Sequence, residues 1–199
     1  MSLASLPKAL QGLRLPVIAA PMFTVSYPEL VKAQCMAGIV GSFPALNARP
    51  PELLDEWLTQ IQEELTTYQS AHPQRQVGPI AVNQIVHISN TRLEQDMHVC
   101  VKHRIPIYIT SLRAPVKEMI DAVHSYGGIV LHDVISLRHA EKALEAGVDG
   151  LIVPDMPPDE AGPLKGLAEA AGLQLIFLLA PTSTEDRRKF VARQSHGFV

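Results

Sequence analysis

Residues 127–153 read GGIVLHDVISLRHAEKALEAGVDGLIV, and this stretch decides the fold. A β-branched run over 129–133 is too short for a helix, 137–146 is helical in pattern, Gly147 closes that helix, and 150–153 opens a second strand. Strand, helix and strand in such quick succession make a βαβ unit. Its right-handed crossover returns the chain to the same sheet, so the two strands lie parallel.

Working outward, the same unit recurs along the chain. Strands are expected near 16–22, 39–44, 79–86, 105–111, 129–133, 150–153 and 173–180, and an eighth opens at Gly197. Helices are expected over 28–37, 50–69, 91–102, 115–125, 137–146, 158–171 and 183–193, with Pro28, Pro115 and Pro158 in first turns. The helix over 50–69 is the longest. Its apolar stripe is Leu53, Leu54, Trp57, Leu58, Ile61 and Leu65, which makes Trp57 a packing residue. Eight strand openings predict an α/β fold, a (β/α)8 TIM-barrel-like single domain over 1–199, with a truncated eighth strand limited to Gly197, Phe198 and Val199. Such an incomplete edge is expected to favour self-association. A doubly wound open sheet is the alternative, and it lacks the G-x-G-x-x-G turn that would follow its first strand.

Composition narrows the function. The 199 residues carry 17 Lys plus Arg against 20 Asp plus Glu, a net charge of −3 with no basic block, which argues against nucleic acid as a partner. Apolar runs such as 175–181 fall far short of the ~18–20 residues of a membrane span, and Lys8 and Arg14 interrupt any signal-type core. The expected compartment is the cytoplasm and the expected ligand a small molecule. Cys35 and Cys100 have no metal or redox spacing and read as buried core thiols. His72, His87, His98, His103, His124, His139 and His196 form no HExxH or HxH pattern, so no metal site is expected. His87, just past the third strand, is placed to face the barrel mouth.

Three segments carry a resemblance: LPVIAAPMFTVSYPELVKAQCMAGIVGSFPALNARPPELLDEWL, then PIAVNQIV, then GGIVLHDVISLRHAEKALEAGVDGLIV. Over 13–153, six strands in all, the chain resembles the nitronate monooxygenase (2-nitropropane dioxygenase) family of FMN-dependent barrels. That resemblance implies FMN as cofactor. It places Ala20, Pro21, Met22 and Phe23, the turn after the first strand, against the flavin ring, with Asn83 as a further cofactor contact. An apolar turn with backbone amides suits a flat ring, and an Asn offers both donor and acceptor to its edge. His132 and Asp133 end the strand at 129–133, where barrels place chemistry, and His132 is the catalytic candidate.

Beyond Val153 the Gly-Gly-His turn of the nitronate enzymes does not follow. The sequence PDMPPDEAGPLKGLAEAAGLQLIFLLAPTSTEDRRKFVARQSHGFV instead resembles the tryptophan synthase alpha subunit. That likeness runs over 147–199, with GVDGLIV shared by both patterns, so the chain reads as a chimera joined at 147–153. The resemblance implies that the alpha subunit's Glu and Asp for indole-3-glycerol phosphate cleavage lie in segments replaced here. Asp155 and Asp159 then read as solvated or capping groups. Thr182 and Glu185 have capping-box spacing, which uses helix amides internally. Arg187, Arg188 and Lys189 read as a solvated face. The expected function is an FMN-binding, nitronate monooxygenase-like scaffold with catalysis impaired or absent, holding FMN no tighter than micromolar, about −8 kcal/mol. The alternatives are a non-catalytic barrel-fragment chimera and an indole-3-glycerol phosphate lyase.

Overall fold

The computed structural model describes residues 7–195. Six parallel strands form one sheet in sequence order: β1 (Gly41–Pro44), β2 (Ile80–Val86), β3 (Ile107–Leu112), β4 (Ile129–Asp133), β5 (Gly150–Val153) and β6 (Gln174–Phe177). Alternating with them are α1 (Pro28–Met36), α2 (Leu53–Ala71), α3 (Leu93–Lys102), α4 (Lys117–His124), α5 (Leu137–Ala146), α6 (Gly162–Ala171) and α7 (Glu185–Gln194). This is the expected α/β, TIM-barrel-like architecture. The strands keep it because each carries a residue parity that serves two cores at once.

Residues of one parity turn outward. Phe43, Val82, Tyr108, Val130, Leu151 and Phe177 pack against the helices, where Leu54, Leu58, Ile61, Val123, Ala143 and Ala168 complete a buried layer. The other parity turns inward. Ala81, Ile107, Ile109, Ile129, Leu131, Ile152 and Ile176 make the barrel interior, with Leu10 and Leu13 from the N-terminal segment. Burying each large side chain contributes about 1.5–3 kcal/mol, so both layers are needed to offset the ordering of so long a chain.

The expected strand over 16–22 is reduced to one parallel bridge, Ile18 to Val40. Only two ladder bonds form there, Val40 N–H to the Val17 carbonyl (3.1 Å) and Ala19 N–H to the Val40 carbonyl (3.0 Å). Pro16 and Pro21 lack an N–H and bracket the segment, which limits further pairing. The eighth opening at Gly197 lies outside the described residues. Helix α6 starts at Gly162 rather than at Pro158. Proline disfavours helical geometry in the residue before it, and residues 158–160 instead form a turn closed by the Glu160 N–H on the Pro157 carbonyl (3.0 Å).

Helix ends follow local chemistry. Gly147 closes α5 with φ 97°, its N–H donating to the carbonyls of Ala143 (3.2 Å) and Leu144 (3.0 Å). A Cβ there would meet nothing within 4 Å, so backbone conformation alone selects glycine. Helix α7 is capped by Thr184, whose hydroxyl accepts the Arg187 N–H at 3.3 Å. The Thr182–Glu185 capping box therefore does not form; the cap sits two residues later, though the amide is still used internally. Cys35 and Cys100 are buried free thiols, and burial pushes the Cys35 thiol up to about 12. Trp57 packs edge-on against Tyr27 and tilted against Phe43, with ring centroids at 5.6 and 5.9 Å. No helix among the described residues is long and apolar enough to cross a membrane.

Candidate functional site at the barrel mouth

Inner-face residues change character toward the C-terminal ends of the strands. Ala81 gives way to Asn83, Ile109 to Ser111 and Leu131 to Asp133, each two positions further along and so on the same face. These three side chains join across β2, β3 and β4. Asn83 Nδ2 donates to the Ile109 carbonyl (2.9 Å) and to Ser111 Oγ (2.8 Å), and Ser111 Oγ donates to Asp133 Oδ2 (2.5 Å). The Ile109 carbonyl can only accept, which fixes the NH2 side of the Asn83 amide toward it. Asn83 Oδ1 takes no hydrogen bond among the described residues and is left to the mouth. Burial pushes the Asp133 carboxyl above the ordinary carboxylate range, opposed by the Ser111 hydrogen bond.

Around this polar line the loops expose large apolar side chains. Met22, Phe23 and Val25 follow the first segment, Ile88 follows β2, Leu112 ends β3, Ile135 follows β4 and Leu178 follows β6. Phe23 is 53% exposed and Ile135 68%, at positions where burial would be the norm for such residues. The mouth is thus an apolar rim around a narrow polar floor.

The turn that carries Ala20, Pro21, Met22 and Phe23 is held from below. Asn47 Nδ2 donates to the carbonyls of Met22 (3.1 Å) and Ser26 (2.8 Å), while its Oδ1 accepts the Thr24 N–H (3.0 Å). Met22 N–H donates to Ser26 Oγ at 3.0 Å. The amides of Met22 and Thr24 are therefore engaged, and Pro21 has none, so this turn offers apolar side chains more than free donors. The loop bearing Asn47 is itself gripped by Arg92, whose guanidinium donates to the carbonyls of Ala48 (2.7 Å) and Ala45 (3.4 Å). Arg92 in turn grips Asp96, which is 1% exposed, through Nε and Nη2 at 2.9–3.0 Å. None of Asn47, Ser26, Arg92 or Asp96 stands out in the sequence, because the contacts that tie their loops together join residues up to 47 positions apart. Ser111 and the inward face of Asp133 were within reach, since strand parity continues Ile107-x-Ile109-x-Ser111 and Ile129-x-Leu131-x-Asp133.

His132 lies on the opposite face of β4 from Asp133. It is fully buried toward α5, with Nδ1 2.8 Å from Thr110 Oγ1 and Nε2 3.1 Å from His139 Nε2. Burial, then the neighbouring His139, lowers its pKa to about 4. As placed, its imidazole is turned away from the barrel interior, so the structure does not bring His132 together with Asn83 and the first-segment turn. Strand alternation is the reason: adjacent residues cannot share a face. His87 sits in the loop after β2 and bonds Ser89 Oγ through Nδ1 at 2.7 Å. Among the described residues no group of three or more His, Cys, Asp or Glu could hold a metal ion.

FMN needs two kinds of contact, and the mouth treats them differently. The ring side fits: an apolar rim and an unengaged amide oxygen suit a flat heterocycle. The phosphate side does not fit after β5 and β6, where the loops carry Asp155, Asp159 and Glu160 and the first turn of α7 carries Glu185 and Asp186. Arg187 is paired with Asp159 at 3.0 Å, and Ala180 N–H is used by Ser183 Oγ. Fixed negative charge and occupied amides oppose a phosphate there.

Comparison with known proteins finds a sequence family over part of the chain and a likeness of fold over nearly all of it. The family model described as Tryptophan synthase alpha chain matches residues 122–199. It leaves the first 121 residues unmatched. The match begins upstream of the expected join at 147–153, so the alpha-chain likeness takes in α5 and β4 as well. The tryptophan synthase alpha chain of Geobacter sp. (strain M21) is 55% identical over 64 residues, 32% of this chain and 24% of that protein. The alignment thus spans about a quarter of that relative's length. Among solved structures, FabK from Thermotoga maritima superposes with TM-score 0.73 at 17% identity, over 96% of this chain and 58% of that one. Nitroalkane oxidase from Streptomyces ansochromogenes gives 0.60 at 18% identity, over 83% and 58%. A mandelate oxidase variant solved with a C4a-OH-FMN adduct gives 0.53 at 14% identity, again over 83% and 58%. At these identities the likeness is one of fold.

Proposed function

We propose that the chain is an FMN-binding barrel scaffold of nitronate monooxygenase type, carrying an alpha-chain-like second part and turning over little or no substrate. One observation carries this reading: the Asn83–Ser111–Asp133 line, set in an apolar rim at the C-terminal ends of the strands. Met22 and Phe23 would face the flat ring, Asn83 would meet its polar edge, and Asn47 would hold the turn in place. FMN, when bound, would supply two-electron chemistry. The likeness of fold to an oxidase solved with an FMN adduct supports the cofactor class. Turnover is expected to be slight because no Gly-Gly-His turn follows Val153 and His132 faces α5.

Titration of the full chain with FMN, followed by flavin fluorescence, tests the proposal. The expected dissociation constant is micromolar or weaker, about −8 kcal/mol, and Asn83→Ala weakens it about tenfold. Unchanged flavin fluorescence at millimolar protein would sink it. The match over 122–199 favours a second reading, a tryptophan synthase alpha-type chain; release of indole from indole-3-glycerol phosphate would select that reading instead.

A further inference from the structure

Hydrogen-bond direction along the polar line at the mouth runs one way. Asn83 spends both amide hydrogens on the Ile109 carbonyl and Ser111 Oγ, and Ser111 spends its hydroxyl hydrogen on Asp133. Ser42, also on the inner face of its strand, donates its hydroxyl to the Ala19 carbonyl. The amides of Met22 and Thr24 are given to Ser26 and Asn47. These donors are consumed within the protein. Along the Asn83–Ser111–Asp133 line, what remains toward the mouth is acceptors: Asn83 Oδ1, and the carboxylate oxygen of Asp133 that Ser111 does not occupy.

A buried acceptor facing an apolar ring loses its water when the ring seats, and leaving it unpaired is costly. We propose that the mouth selects, among flat apolar rings, those presenting an N–H donor at their edge, with Asn83 Oδ1 as the specificity-determining acceptor and Asp133 beside it. The inference rests on the proposed ring site but not on the ring being a flavin. The imide N–H of an isoalloxazine and the N–H of an indole share the required chemistry, and neither needs a phosphate to present it. Rings carrying only acceptors along that edge would meet Asn83 Oδ1 oxygen to oxygen and be rejected.

The test compares each ring with its N-methyl derivative on the full, unaltered chain: lumiflavin against N3-methyl-lumiflavin, and indole against 1-methylindole. Methylation removes the donor while adding apolar surface, so an undiscriminating pocket would bind the methylated ring equally well or better. The expected result is about tenfold weaker binding on methylation, the loss of one hydrogen bond to a buried acceptor, with the ratio falling toward one in Asn83→Ala. A penalty in the lumiflavin arm identifies the ring as a flavin. A penalty in the indole arm, with lumiflavin unbound, keeps the donor rule and overturns the flavin reading. Equal binding of methylated and unmethylated rings overturns the donor rule and leaves the flavin reading standing. Failure of both parent rings to bind overturns both. The wild-type comparison stands without the variant, so a folding defect in Asn83→Ala would not rescue the proposal.

Discussion

The β1–β3 side of the sheet and the β4–β6 side are held together by different means. On the first, buried polar groups clamp distant segments: Asp96 holds Arg92, Arg92 holds the carbonyls of Ala45 and Ala48, and Asn47 between them holds the turn at Met22 to Ser26. On the second, the ionic ties are exposed, as in Arg187–Asp159 and Lys189–Glu185, and helices end on left-handed Gly147 and Gly172. Exposed pairs contribute about 0–1 kcal/mol each, so the second side depends on apolar packing, local caps and the polar contacts of His132 and Asp149. Units closed locally can be exchanged with little disturbance to their neighbours. A clamp spanning three separate segments cannot be inherited piecemeal. The alpha-chain match falls over the locally closed side.

Substitutions can break or sharpen this contrast. Arg92→Ala strands a charged Asp96 that is 1% exposed and should cost about 3–5 kcal/mol in urea unfolding at neutral pH. The loss should shrink as pH falls and Asp96 takes a proton, because burial already raises its pKa against the pull of Arg92. Arg187→Ala should stay within about 0.5 kcal/mol. Equal losses for the two would abolish the distinction between the sides.

The second effect belongs to the His132–His139 pair. His132 titrates near 4 when folded and near 6.5 otherwise, so its neutral form contributes stability fully above about pH 6.5, and that contribution is lost as pH falls through about 4. The amount is on the order of 3 kcal/mol, and His132→Asn should flatten that part of the stability profile. An acid limb identical in the two proteins would count against the buried neutral ring. Next in size, Asn47→Ala should cost about 2 kcal/mol and speed exchange of the Thr24 amide hydrogen, since it deletes three hydrogen bonds to one turn. Smallest is Gly147→Ala, about 1 kcal/mol from the left-handed φ alone, with no steric contribution. A loss above about 3 kcal/mol would show that α5 leans on more than its cap.

Much of the fold was legible because βα units announce themselves locally. Apolar parity, helix periodicity and a closing glycine all act within one unit, and β4, α5 and β5 fall where 127–153 placed them. The first strand was overread because its hydropathy pattern was strong while Pro16 and Pro21 left it too few donors. The site was legible only along strands. Asn83 lies on the inner face as parity allows, and the same parity separates His132 from Asp133, a consequence that a motif read as an adjacent pair obscures. The buttress beneath the ring-side turn had no sequence signal, because Arg92, Ala48 and Asn47 meet only once the sheet has brought their loops together.

The strand order has a consequence in time. Each strand from β2 to β6 pairs with the one synthesised just before it. As the chain leaves the ribosome, each new unit finds its partner already displayed, and no strand must wait for a later one to arrive. The interval between partners is one helix and its loops, which keeps loop-closure entropy small for a parallel sheet. The growing edge is therefore always the newest strand, and a change introduced late in the chain reaches a scaffold whose earlier strands have already paired.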